Sequence, residues 1–156
     1  MDMDQIVHAY AIGPQLLRDA VAGLSADQMC ERPIEGTWST LEVLCHLADF
    51  EIVYAHRIQL MICQEEPALF DLNQNLVAEK LFYDKRNPQT QLDLIAAIRQ
   101  QMTNIISQLL AEQFQRGGVH DLEGRLTVLS ILERITRHIP HHVEFLHQKR
   151  MAILGE

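Results

Sequence analysis

Residues 127–149 read TVLSILERITRHIPHHVEFLHQK, and this stretch decides the fold. Val128, Ile131, Ile135, His138, His142, Phe145 and Lys149 recur at alternating three- and four-residue spacing, the period of one face of an α-helix. Leu132, Ile139 and Leu146 widen that face, while Glu133, Arg137, His141, Glu144 and Gln148 fall opposite it. Thr127 is placed to cap the start, its hydroxyl accepting from a first-turn N–H that has no helical partner. Two histidines therefore stand where apolar side chains belong, one turn apart and pointing the same way. Burying both requires partners for four ring nitrogens, and each polar group left unpaired costs about 1–3 kcal/mol. One bound cation satisfies two of these nitrogens at once, and ligands four residues apart on a helix recur in metal sites. Pro140 lies between the two histidines. It removes the hydrogen bond to the Thr136 carbonyl and bends the helix, which leaves a second arrangement open, with His141 inward in place of His142.

Working outward, three more helices are expected, at about 4–23, 40–63 and 88–110. The first carries Met3, Ile6, Tyr10, Gly13, Leu17, Ala20 and Leu24 on one stripe, with a kink or break expected at Gly13-Pro14. Ser25-Ala26-Asp27-Gln28 reads as a short capped turn. The second helix opens on Ser39-Thr40-Leu41-Glu42, a capping box in which hydroxyl and carboxylate satisfy two orphan N–H groups reciprocally. Asn87-Pro88 starts the third, an N-cap followed by proline at the first helical position. Its seam is Ile95, Ile98, Met102, Ile105 and Leu109. No strand-like alternation competes with this reading. The connector 64–86 is long for a compact domain. Phe70, Leu72, Leu76, Val77, Leu81 and Phe82 make it a packed segment with room for a short helix. The expectation is one all-α domain over 1–156: a four-helix bundle with a long crossover, which lets the second and third helices run parallel.

Composition narrows the function classes. Hydrophobic residues make up 47% of the 156, enough for a core, and the net charge of −8 opposes a nucleic-acid backbone. Arg134, Arg137, Lys149 and Arg150 are interrupted by Glu133 and Glu144, so no basic stripe forms on the last helix. No run approaches twenty apolar residues, and Met1-Asp2-Met3-Asp4 lacks the order of a signal peptide. The expectations are therefore no nucleic acid, no membrane, and a cytoplasmic location. Three cysteines without a C-x-x-C pair argue against a disulfide framework or a cysteine zinc site. Cys45 and Cys63 read as buried, inert thiols.

Two ligands from one helix do not close a metal site. His8 lies near a chain end, His120 in a connector and His147 on the outer face, while His56 sits among Arg57 and Gln59. His46 shares a partly apolar stripe with Asp49, Phe50, Val53 and Leu60, which makes it the better third ligand. Asp49, one turn on, is placed to orient a ligand or to bind the ion itself. A di-iron carboxylate site would need two Glu-x-x-His motifs; only Glu144–His147 matches, on the outer face.

The motifs together resemble the DinB/YfiT-like superfamily of metalloenzymes. They are Trp38-Ser39 with His46-Leu47-Ala48-Asp49, then Glu51 and Arg57; Gly124 and Thr127; the HIPHH run 138–142; and the turn GLSADQMCERP before Trp38. The likeness covers nearly the whole chain in order, with Pro140 a departure from the usual pattern. It implies a four-helix bundle, often a homodimer, with His46, His138 and His142 holding nickel, zinc or a similar divalent transition metal. It also implies a small-molecule substrate. Thiol S-transfer with a low-molecular-weight thiol is the first expectation, metal-assisted hydrolysis the next, and Asp49 and Glu51 are proton-transfer or orienting groups. A metal-holding bundle without catalysis, in stress response or metal handling, is the alternative, and it would show a fourth protein ligand such as Asp49. A wide stripe of Ile105, Ile106, Leu109 and Leu110 on the third helix points to pairing of two copies.

Overall fold

In a computed structural model, residues 2–155 are described. Met1 and Glu156, the ends of the expected 1–156 domain, lie outside them. Four long helices form the body: α1 (Met3–Ala20), α3 (Thr40–Cys63), α5 (Pro88–Ile106) and α6 (Val128–Leu154). Two short ones, α2 (Ala26–Cys30) and α4 (Gln74–Lys80), lie in the connectors. Local chemistry sets the starts. Ser25, Ser39, Asn87 and Thr127 each accept a backbone N–H of their own first turn, and Glu42 returns a bond from the Ser39 N–H.

The helix directions follow from which residues meet. Glu51 meets Arg99 and Gln59 meets Met102, so α3 and α5 run parallel. Arg18 meets Asp93 and Tyr10 meets Arg99, so α1 opposes α5. His46 meets His142 while Tyr54 meets His138, so α3 opposes α6. α1 and α6 then run together, and each of them packs against its neighbours across the bundle. The crossover that makes this order feasible does pack: Val77 of α4 and Tyr83 are buried against Leu41 and Cys45 of α3.

Several expectations need correction. A small sheet exists, with β1 (Ala68–Leu69) parallel to β2 (Gly117–His120), and β2 antiparallel to β3 (Gly124–Thr127). Gly118 in β2 serves this pairing, because the backbone just before β1 passes so close that a side chain there would meet the Pro67 carbonyl. α1 runs unbroken through Gly13-Pro14. Cys45 is buried as expected, but Cys63, at the last residue of α3, is exposed. α5 ends at Ile106, so Leu109 and Leu110 are not on its face. Ile106 is buried in this chain's own core, and the expected homodimer loses that support.

Why α1 continues through its proline is visible in the core. Two apolar clusters fill the bundle, one around Ile6, Ile58, Met102 and Ile131, the other around Leu17, Leu47, Ile95 and Ile139. Between them lies a fully buried polar layer. Arg99 Nε donates to Glu51 Oε1 at 2.7 Å, and the Tyr10 hydroxyl donates to Glu51 Oε2 at 3.3 Å. Arg99 Nη1 donates to the Tyr10 carbonyl and Nη2 to the Ile135 carbonyl, both at 2.8 Å. The Tyr10 carbonyl is the acceptor that Pro14, four residues on, cannot serve. Arg99 supplies the missing donor, and Gly13 leaves the space, since a Cβ there would overlap the guanidinium.

Candidate metal centre

α3 and α6 carry the site. His46 lies in the second turn of α3, and His138 and His142 lie one turn apart in the middle of α6. One nitrogen from each ring falls within 4.8 Å of the other two, and these three are the only such group of His, Cys, Asp or Glu among the described residues. His46 Nε2 and His138 Nε2 are 3.0 Å apart, and the ring centroids of the three are 4.9–5.0 Å from one another. Despite Pro140, α6 is continuous and keeps His142 inward; His141 is exposed.

The electrostatics favour neutral rings. Burial pushes His46 down to about 4 and His142 to about 4, His46 and His141 adding to the effect at His142. His138 falls to about 3, through burial first and then the neighbouring His46 and His142. Neutral imidazoles are the form that ligates a cation. The Nδ1 atoms of His46 and His138 are buried without a hydrogen-bond partner, so the cluster is not a self-satisfied hydrogen-bond network. Metal–nitrogen bonds of about 2.0–2.1 Å put ligand nitrogens about 3–3.5 Å apart, which the 3.0 Å separation approaches. The residues present therefore fit a divalent transition metal.

Asp49 and Glu51 are not among the three converging ligands. Asp49 Oδ1 accepts from Arg86 Nη1 at 2.7 Å, tying α3 to the crossover, and Asp49 is not in the three-nitrogen group. Glu51 faces the opposite way, into the Arg99 layer, with its side chain fully buried. Arg57, the last residue of the α3 motif, donates to the Phe70 carbonyl. His120, read as a connector residue, is buried at the end of β2. Sequence reasoning passed over the aromatic wall. Trp38 lies 5.3 Å and Phe50 4.7 Å from His46, ring to ring, and Tyr54 lies 6.4 Å from His138. The signal was there, since His46, Phe50 and Tyr54 are spaced by four.

A family model described as the DinB superfamily matches residues 9–146 of this chain. The chain belongs to the DinB superfamily. Similar to this DinB-superfamily chain is a protein of Oceanobacillus iheyensis named “Putative metal-dependent hydrolase”, 23% identical over 81% of this chain and 73% of its own length. YfiT of Bacillus subtilis bears the same designation and is 26% identical over 83% of this chain and 74% of its own. The solved structure of YfiT, described as a probable metal-dependent hydrolase with an unusual four-helix bundle topology, superposes with a TM-score of 0.88. It is 24% identical and covers 97% of this chain and 90% of that one. The DinB-superfamily fold is thus a four-helix bundle here too, with α3 and α5 parallel across the long crossover. No described helix is long and apolar enough to cross a membrane.

Proposed function

We propose that this chain is a metal-dependent hydrolase acting on a small molecule, with one divalent ion, nickel or zinc, on His46, His138 and His142. The observation that carries the reading is the convergence of three neutral imidazoles with no fourth His, Cys, Asp or Glu beside them among the described residues. Structural zinc sites are closed by four protein ligands, whereas catalytic sites keep a place for water or substrate. A divalent ion in such a setting supplies an activated water near neutral pH and a Lewis acid for a carbonyl oxygen.

The chain's own residues prepare that chemistry. Arg86 engages the Asp49 carboxylate, which lies outside the three-nitrogen group. Desolvation keeps the rings unprotonated. Trp38, Phe50 and Tyr54 give the centre an apolar wall that excludes water from one side. Hydrolysis stands ahead of thiol transfer because the similar proteins carry hydrolase names. The missing fourth ligand stands against a bundle that only holds metal.

The test has two stages. Metal-free protein is titrated with Ni(II), and the emission of Trp38, the single tryptophan, is followed beside metal analysis. Wild type should take up roughly one ion per chain with quenching of Trp38, and His142→Ala should lose most of both. Equal uptake by the two proteins overturns the centre. Hydrolysis of 4-nitrophenyl acetate should then vanish with a chelator and return with metal; hydrolysis indifferent to the chelator overturns the enzyme reading.

A further inference from the structure

Beyond the triad, α3 and α6 continue as two facing rows. Phe50 and Tyr54 follow His46 on α3, their half-buried rings 6.3 Å apart and 6.2 and 6.4 Å from His138. On α6, Arg134 precedes His138 by one turn. Its Nη1 and Nη2 fork onto Glu123 Oε1 and Oε2 at 2.7 and 2.6 Å. Two parallel N–H···O bonds are the way a guanidinium reads a carboxylate. The Glu123 hydrogen bond and, to a smaller degree, Tyr54 hold Arg134 more firmly protonated, against the pull of burial.

Glu123 belongs to the exposed turn between β2 and β3, a turn shaped by His120, whose Nδ1 accepts from the Leu122 and Glu123 N–H groups. Both partners of the Arg134–Glu123 pair are well exposed, at 38% and 41% of the side chain, so solvent screens the pair and can reach it. A second guanidinium, that of Arg57, stands 5.5 Å over the Tyr54 ring with the Phe70 carbonyl as its acceptor and, among the described residues, no carboxylate in salt-bridge reach. Two cations thus face one carboxylate at this rim of a chain whose net charge is −8.

We propose that Arg134 recognises the carboxylate of a small acidic substrate whose apolar body lies on Phe50 and Tyr54, and that Glu123 is the internal stand-in that this carboxylate displaces. The inference rests on the triad being the reacting centre, from which Arg134 is one helical turn, about 6 Å along the axis, away. A short acid is therefore the class that fits.

The probes are 3-phenylpropionate and its neutral amide, titrated by NMR into full-length protein, metal-free and Zn(II)-loaded. In both forms wild type should prefer the acid by about tenfold. Arg134→Gln should erase the preference. Glu123→Gln, which keeps the arginine and removes the competitor, should tighten the acid by about two- to fivefold and leave the amide unchanged. A preference that appears only with metal and survives Arg134→Gln means that the cation holds the acid, and it overturns the proposal. Unchanged acid affinity in Glu123→Gln overturns it as well, whether or not the arginine variant folds. Zinc uptake in the same samples separates this failure from that of the metal centre.

Discussion

Replacing Arg99 by methionine leaves a shorter, unbranched apolar side chain and removes the charge and the hydrogen bonds. Glu51 would then be a buried carboxylate with only the 3.3 Å bond from Tyr10, and the Tyr10 carbonyl, which Pro14 deprives of a helical donor, would have no partner. Removing one member of a buried pair costs about 3–5 kcal/mol. For a chain of this size each kcal/mol moves Tm by about 2–4 °C, so the variant should melt about 6–20 °C lower. Burial already raises the Glu51 carboxyl, with Arg99 opposing; without Arg99 the carboxyl protonates more readily, so the penalty should shrink as pH falls. Arg99→Met with Glu51→Met removes the stranded charge and should recover most of the loss. The orphaned carbonyl remains, at about 1–3 kcal/mol. Denaturant and thermal melts followed by far-UV circular dichroism on both variants decide it. A loss below about 1 kcal/mol for the single variant, or a double variant no better than the single, refutes the reasoning.

His138→Leu should raise the stability of metal-free protein, because a buried ring nitrogen without a partner disappears. The same variant should abolish the added stability that excess Ni(II) gives wild type, about 2.7 kcal/mol at a hundredfold excess over Kd. Differential scanning calorimetry with and without metal reads both effects. Metal-free wild type should also lose stability on acidification between about pH 6.5 and about pH 4. The native state holds His46, His138 and His142 neutral down to about 4, 3 and 4, while the unfolded chain takes up those protons from about pH 6.5. The unfolded state therefore binds more protons in this window, and stability falls as pH falls. Denaturant midpoints that stay flat across it would contradict the buried, neutral triad.

The features legible in the sequence were those set by neighbours in the chain. Ser39 with Glu42, Asn87 with Pro88, and Thr127 announce helix starts because the caps act within three residues. His138 and His142 betrayed themselves by occupying a core stripe, and His46 by its place on another. What stayed hidden depends on distant partners. Glu51 carries the same charge whether it serves a metal centre or an arginine 48 positions away, and only packing chooses. Arg99 falls at core spacing between Ile95 and Met102, an anomaly of the same kind as His138 that went unread. The sheet was invisible because β1 has two residues and its partner strand lies some fifty positions further on. Arg134 was weighed only as part of an absent basic stripe, since its carboxylate sits on a hairpin that the sequence did not show.

The buried polar layer also works as an index mark. Arg99 ties α5 to α1, α3 and α6 at one level. A slide of α6 by one turn moves it about 5.4 Å; that takes the Ile135 carbonyl away from Arg99 Nη2 and displaces each α6 imidazole by more than the 4.8 Å that the whole ligand cluster spans. Oily contacts alone would tolerate neighbouring settings of such smooth rods. A guanidinium with three partners to meet tolerates one, and that setting is the one in which the imidazoles meet.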